Sequence, residues 1–508
     1  MRQKTIFEVG FLLIVLPTLM SLVQSSRAQK TDLTFAPVIP KTWDEEALRS
    51  LEVPLPDPKF SPVAVPVEYY YRMPVRPIYR SYPIYAPDRE PANYFEWLKR
   101  QEPEVLWENS ARLETELDWI KAGEMVFDAP IFYDAVLTVD QARNPDWYKK
   151  VRPFLTKDGM LPFARYVVQE KGKVTVGNNS CAFCHTRVMP DGTILKGAQG
   201  NFAFDRSIAY GARQHTSLEQ LRHGYRELVG APWLQDNDPA ARVNVMTEEE
   251  LIGMFEAIPP GVAIRHRSSA FAPPAIPDLI GVKDIRYLDR TGLVRQRSVG
   301  DLMRYAALNN EADFLSRFGD FIPSGEDFQR LPDPTTQSRY SDEQLYALVL
   351  YLYSLQPPPN PNKFDALAAR GEKVFREGCA GCHTPPLYTN NKLTPAEGFK
   401  VPEEQLEKYD ILSISVGTDP NLTMKTRRGT GYYKVPSLRG VWYRGPFEHN
   451  GSVATLEDWF DPRRLRDDYV PTGFVGYGVK TRAVKGHVFG LDLPDQDKKA
   501  LIAFLKTL

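Results

Sequence analysis

Hydrophobic positions recur at three- and four-residue steps in several stretches of this chain, and each such stretch predicts an amphipathic helix. The first runs over residues 111–127, with Leu113, Leu117, Ile120 and Val126 in phase. It closes on Gly123-Glu-Met-Val-Phe127, and a later stretch closes alike on Gly371-Glu-Lys-Val-Phe375. The small Gly of each would let another helix approach closely. Two further helices are predicted over residues 342–355 and 495–508. Gly172-Lys-Val-Thr-Val-Gly177 reads instead as a hairpin. From Gln29 to about Pro91 the pattern dissolves into Pro and Tyr, as in Tyr69-Tyr-Tyr-Arg-Met-Pro74. Each Pro fixes its own φ and biases the preceding residue away from helix, so an extended strap over the surface is expected there.

The helical pattern is duplicated. Ile276-Pro-Asp-Leu-Ile-Gly-Val282 aligns without gaps to Val435-Pro-Ser-Leu-Arg-Gly-Val441, which sets Arg290 opposite His449 and Gly292 opposite Gly451. Each copy then ends in one of the two later helices, and Gln356-Pro-Pro-Pro-Asn-Pro361 links the copies. At 508 residues the chain is long enough for more than one core. Its composition, 43% hydrophobic and 25% charged, is that of a soluble globular protein. A net charge of −1 gives no reason to invoke nucleic acid or an acidic membrane as partner. The start is different: Met1-Arg2-Gln3-Lys4, an apolar run from Phe11 to Val23, then Ser26-Arg27-Ala28. It reads as a secretory signal cleaved after Ala28, with an uncleaved anchor as the alternative. A periplasmic or secreted protein with no membrane span after cleavage is expected.

The four cysteines fall in two motifs, Cys181-Ala-Phe-Cys184-His185 and Cys379-Ala-Gly-Cys382-His383. C-x-x-C-H is the spacing of covalent haem attachment: two thiols one turn apart bond the porphyrin, and the His becomes the proximal iron ligand. A zinc site would gather four ligands in one place, and a thioredoxin-like pair has no need of the His. Two covalently bound haem c groups are therefore expected, with no cysteine left for structural disulfides. The expected fold is mainly α: two tandem cytochrome c-type haem domains with long loops and an extended Pro/Tyr-rich N-terminal arm. The boundaries are 1–28 for the signal, 29–110 for the arm, 111–358 for the first domain with an insertion at 131–177, and 359–508 for the second.

The sixth position on each iron separates electron transfer from chemistry, because a second protein ligand closes the iron. His487, in Lys485-Gly-His-Val-Phe-Gly490, is the candidate to close the His383 haem. The corresponding stretch of the first copy, residues 321–339, holds neither His nor Met, which predicts an open His185 haem. His215, His223, His266 and Met246 are the competing closers. His449 is expected to brace its loop or touch a porphyrin carboxylate. Trp233, the one Trp between the motifs, is a candidate electron relay, with plain packing as the alternative.

Residues 122–130 with Asn179-Ser-Cys-Ala-Phe-Cys-His185, and Lys434-Val-Pro-Ser-Leu-Arg-Gly-Val with Gly445-Pro-Phe-Glu-His-Asn-Gly451, resemble the bacterial di-haem cytochrome c peroxidase superfamily. The resemblance covers roughly residues 111–508. The superfamily also includes the methylamine-utilisation di-haem enzyme and the rubber oxygenases. The long N-terminal part, the insertion, and the His in Gly486-His-Val-Phe-Gly490 look most like the rubber-oxygenase branch. That likeness implies O2 chemistry on an alkene at the His185 haem, and a second haem ligated by His383 and His487. A peroxidase would usually carry a distal His shortly after its first motif, whereas here the next one is His215. The function expected is an exported di-haem oxidoreductase working on O2 or peroxide, with an unsaturated hydrocarbon or a small donor cytochrome as partner. The alternatives are a cytochrome c peroxidase reducing H2O2 and a pure electron carrier. Superfamily members often hold Ca²⁺ between domains; this sequence has no EF-hand loop, and Ca²⁺ stays an open expectation.

Overall fold

The computed structural model describes residues 35–107, 109–235, 237–311, 314–324 and 328–508, with the backbone alone for His215. The expected signal segment, 1–28, lies outside the described residues.

Two helix crossings of the same design hold the two halves together internally. Thr115 and Asp118 form a reciprocal cap that starts α1 (Glu116–Asp128), and Ser341 with Gln344 does the same for α2 (Asp342–Ser354). Asp365 caps α3 (Ala366–Gly378), which runs directly into Cys379, and α4 (Asp495–Lys506) closes the chain. α1 packs on α2 and α3 packs on α4. A Cβ on Gly123 would lie 2.0 Å from the Ala347 carbonyl oxygen, and one on Gly371 would lie 1.9 Å from that of Ala500. One turn along, the Phe127 and Tyr351 rings are 5.2 Å apart at 57°, and Phe375 and Phe504 are 5.2 Å apart at 55°. The repeated Gly-Glu-x-Val-Phe is thus a contact pattern: the bare Gly admits the partner backbone, and the Phe fills the next gap.

The halves also exchange main-chain hydrogen bonds at equivalent positions. Ala275 N–H donates to the His449 carbonyl at 2.7 Å, and Lys434 N–H donates to the Arg290 carbonyl at 3.0 Å. Ala275 and Lys434 correspond in the repeat, as do Arg290 and His449. The aligned Gly292 and Gly451 both take positive φ, 65° and 73°, where the loop turns back and a side chain would collide with Leu393 or Val262.

The expectation of a mainly α fold is corrected. Helix and sheet are mixed, at 34% and 14%. Strands β1 (Ser81–Tyr85), β2 (Phe132–Tyr133), β3 (Met160–Glu170) and β4 (Lys173–Asn178) form an antiparallel sheet in the order β1-β3-β4-β2. Its hairpin lies in the 131–177 insertion, and its edge strand comes from the N-terminal arm. Five further ladders join only two short strands each, several of them from segments far apart, such as Pro62–Ala64 with Ser316–Phe318. Pairing of this kind is dictated by tertiary closure and leaves little periodic trace.

The arm is fastened to the first half rather than merely extended. Trp43 and Tyr70 are fully buried and stacked at 4.5 Å, and Trp43 Nε1 donates to the Val65 carbonyl at 2.8 Å. Both enter one core with Val126 and Phe127 of α1 and Leu345, Leu348 and Leu352 of α2. Among the described residues no helix is long and apolar enough to cross a membrane.

Candidate haem sites

Each C-x-x-C-H forms a tight turn in which the His N–H donates to the carbonyl of the first Cys at 2.9 Å. At Cys181–Cys184 the turn is a single helical one, capped by Ser180, whose hydroxyl accepts from Phe183 N–H at 3.1 Å. Thiols three residues apart on such a turn share one face. All four cysteines are free. Burial pushes the Cys181 thiol up to about 12 and those of Cys184 and Cys379 up to about 11, so they stay protonated.

A metal-binding imidazole is commonly aimed by a hydrogen bond at its other nitrogen. His185 Nδ1 meets the Pro277 carbonyl at 3.1 Å, and His383 Nδ1 meets the Tyr388 carbonyl at 3.1 Å. The Pro436 carbonyl also faces the His383 ring. Pro277 and Pro436 are equivalent in the repeat, so the aligned Ile-Pro and Val-Pro segments each set a carbonyl against the imidazole. Burial, and then the nearby Arg265, holds His185 down to about 3; burial also lowers His383. Both rings are neutral near pH 7, the form that ligates metal.

Across from His383 stands His487. Its ring centroid lies 6.2 Å from that of His383. Two metal–imidazole bonds of about 2 Å each, plus the inner half of each ring, span about 6 Å, so one iron fits between them. The Gly486–His487 turn takes φ of 83° and 44° and presses against Gly417 and Thr418, and His487 N–H donates to Val416 at 2.7 Å. Buried Arg464 holds the loop from behind. It donates to the carbonyls of Trp459 (3.0 Å), Val484 (2.6 Å), Gly486 (2.9 Å) and His487 (2.7 Å). Between the two imidazoles opens a cavity of about 410 Å³ whose wall includes Cys379, Cys382, His383 and His487. Phe375, Leu438, Val441, Phe447, Trp459 and Phe460 make much of that wall apolar. Size, apolar lining, paired thiols and facing imidazoles fit a covalently attached haem.

The first site is walled differently. Phe183 is buried against Phe202 at 4.8 Å, and Phe202 stacks on Phe163 of β3 at 4.9 Å, so the insertion sheet backs the Cys181–Cys184 turn. Arg265 bears on Cys184 and His185, and its guanidinium bonds Asn309. Among the described residues no imidazole faces His185 as His487 faces His383. His223 packs on Phe328 at 5.1 Å, Met246 is buried in a separate apolar cluster, and His266 is buried among Arg265, Arg267, Arg427 and Arg428. The His215 side chain lies outside the described part of the structure. Trp233 stacks on Phe60 of the arm at 4.5 Å, in a cluster with Phe318, Phe321 and Phe328. His449 lines the second cavity, packs on Tyr433 at 4.8 Å and contacts the Glu448 carboxylate. No group of three or more His, Cys, Asp or Glu side chains among the described residues forms a further metal site.

Over 168 residues the chain is 30% identical to the cytochrome-c peroxidase IdrP1 of Denitromonas iodatirespirans, covering 28% of this chain and 40% of that protein. Over 143 residues it is 25% identical to the methylamine utilization protein MauG of Methylorubrum extorquens, covering 28% and 34%. At low identity, its homologues are di-haem cytochrome c peroxidase and MauG-like proteins. Such relatives imply covalently bound haem c, in agreement with the two attachment turns. The match spans about two fifths or less of these relatives' length. No family model matches the chain. A MauG-like protein associated with microbial copper homeostasis superposes with a TM-score of 0.29 at 17% identity, over 57% of this chain and 87% of its own, a likeness too slight to carry an argument.

Sequence reasoning missed Arg464, Arg265 and the cations beside the second cavity. Only Arg290 had a signal, its place opposite His449 in the repeat.

Proposed function

We propose that this chain is an exported di-haem oxidoreductase built from two tandem cytochrome c-type domains, with the His185 haem reacting with peroxide and the His383/His487 haem storing and passing electrons. The observation that carries this reading is the asymmetry of the two sites: His487 stands across a cavity from His383, and among the described residues no comparable ring faces His185. Bound haem supplies reversible one-electron chemistry and, at an open iron face, coordination of a small oxidant. The chain's own contribution is attachment and aim. The Cys pairs fix each porphyrin, Pro277 and Pro436 orient the proximal rings, and the Phe163–Phe202–Phe183 stack keeps water from the first turn.

Peroxide leads over O2 because the named relatives include cytochrome c peroxidases. A small donor cytochrome is the electron source under this reading. The alkene-cleaving branch remains the second reading, motivated by the fastened N-terminal arm and the sheet inserted ahead of the first motif. The two separate in one assay on the purified protein. H2O2-dependent oxidation of a reduced small cytochrome, without O2 uptake on an unsaturated hydrocarbon, is the expected result. O2 uptake with cleavage of the hydrocarbon would favour the second reading, and neither activity would leave an electron carrier.

A further inference from the structure

Among the described residues, two cations beside the second cavity, Arg290 and Lys434, have no carboxylate in ion-pair reach, and a third, Arg444, has only a distant one. Arg290, Lys434 and Arg444 all line that cavity. Arg290 donates to the carbonyls of Ala275 and Ile276, each at 3.1 Å. Lys434 Nζ donates to the Tyr287 carbonyl at 3.2 Å, and Arg444 donates to the Ser437 carbonyl at 2.8 Å. These partners are neutral. Arg444 Nε stands 3.7 Å from the Asp278 carboxylate, beyond hydrogen-bond reach, and finds no other partner. The nearby carboxylates are engaged elsewhere. Asp278 accepts from the Tyr443 hydroxyl and Ile280 N–H, each at 2.9 Å. Asp289 pairs with Arg428 at 3.0 Å and accepts from the Tyr305 hydroxyl at 2.8 Å, while Glu448 contacts His449. Burial lowers Lys434 to about 8 and Arg290 to about 10, with mutual repulsion adding to it. Buried cations whose direct partners are neutral carbonyls, with the nearby carboxylates bonded to other groups, are unfavourable, so this arrangement calls for an anion inside the cavity.

We propose that Arg290, Lys434 and Arg444 form the seat for the two carboxylates of the porphyrin at the second site, and that Arg290, supplied by the first half of the chain, raises the reduction potential of that haem. This rests on the haem reading of the site. A ferric haem carries one more positive charge than a ferrous one, so a cation held nearby in a poorly screened interior favours the reduced form. Arg290 reaches the site because its carbonyl is pinned by Lys434 N–H at 3.0 Å, the same inter-half bond that brings Lys434 to the wall. Joining of the halves and tuning of the second haem are therefore one event.

Spectroelectrochemical titration of the purified full chain tests this, with covalent haem counted by the pyridine haemochrome spectrum. In Arg290→Gln and in Lys434→Gln the potential of the low-spin haem is expected to fall. Arg290→Lys is expected to lie between wild type and Arg290→Gln, and the exposed Arg463→Gln to match wild type. Added salt should change these differences little, since the charges are buried. Potentials unchanged in both Arg290→Gln and Lys434→Gln, with both haems attached, would overturn the proposal. If Arg290→Gln does not fold, Arg290→Lys and Lys434→Gln carry the decision on the same criterion. Wild-type chain matured without any covalent haem would defeat the haem reading itself, a distinct result.

Discussion

Arg464 does for the second site what no ligand does for itself. His487 sits on a turn at φ 44°, a strained value for a residue with a side chain, and Arg464 ties together four carbonyls around it. Removing a buried guanidinium with that many partners strands the carbonyls. Arg464→Ala should lose at least about 3 kcal/mol in urea unfolding and should also weaken the low-spin signal that depends on His487. An unchanged midpoint and spectrum would mean that the loop holds itself. Asp289 offers a second test at this scale. Burial alone would raise its carboxyl, but Arg428, Arg265 and the Tyr305 hydroxyl outweigh burial and hold it well below the usual range. A folded pKa below the unfolded one gives stability that is complete above the unfolded value of about 3.9 and lost as pH falls through the folded value. The Tm of wild type should therefore drop more steeply than that of Asp289→Asn as pH falls below about 4. Parallel curves would remove Asp289 from the account. The two C-x-x-C-H turns and the His487 loop could be picked out in sequence because their spacing is local. Arg464 and the Arg290–Lys434–Arg444 group could not, because their meaning arises only when distant segments close on one another.

Among the elements, the paired helix crossings bear the load twice in one geometry. At Gly123 and Gly371 an added methyl would sit about 2 Å from the partner carbonyl oxygen, well inside contact distance, and backbone cannot yield as a flexible side chain would. Gly123→Ala and Gly371→Ala should each lose about 2–4 kcal/mol, read as a lowered urea midpoint with little change in slope. Loss at only one of the two would show that the crossings are alike in shape but unequal in tension. Both helix pairs were visible in sequence as a 3.6-residue period with a Gly at one point and a Phe four residues later. The sheet was only partly so. The glycines around residues 172–177 marked extended chain, but that stretch is the second strand of a hairpin whose first strand is β3, and β1 reaches the sheet from the arm, where Pro83 and two tyrosines gave no alternating pattern. Expecting mainly helix was the outcome of reading only what is periodic.

At the scale of the whole molecule, the proposed division of labour rests on a repeat whose two copies have diverged. The halves keep one helix crossing, one attachment turn, one Pro carbonyl behind each proximal ring, and one pair of exchanged main-chain bonds. They differ in what lies across from that ring. The second half ends in a loop that carries His487 to within 6.2 Å of His383; the first half has a walled turn, a buried Arg265 and no facing imidazole among its described residues. The missing His and Met in residues 321–339 led to the expectation of an open first site, whereas the facing geometry of His487 left no trace in sequence. EPR spectroscopy of the resting ferric protein beside His487→Ala tests the asymmetry most directly. The account predicts one high-spin and one low-spin haem in wild type, with the low-spin signal lost and the original high-spin signal retained in His487→Ala. Two low-spin haems in wild type, or a low-spin signal that survives the substitution, would contradict it.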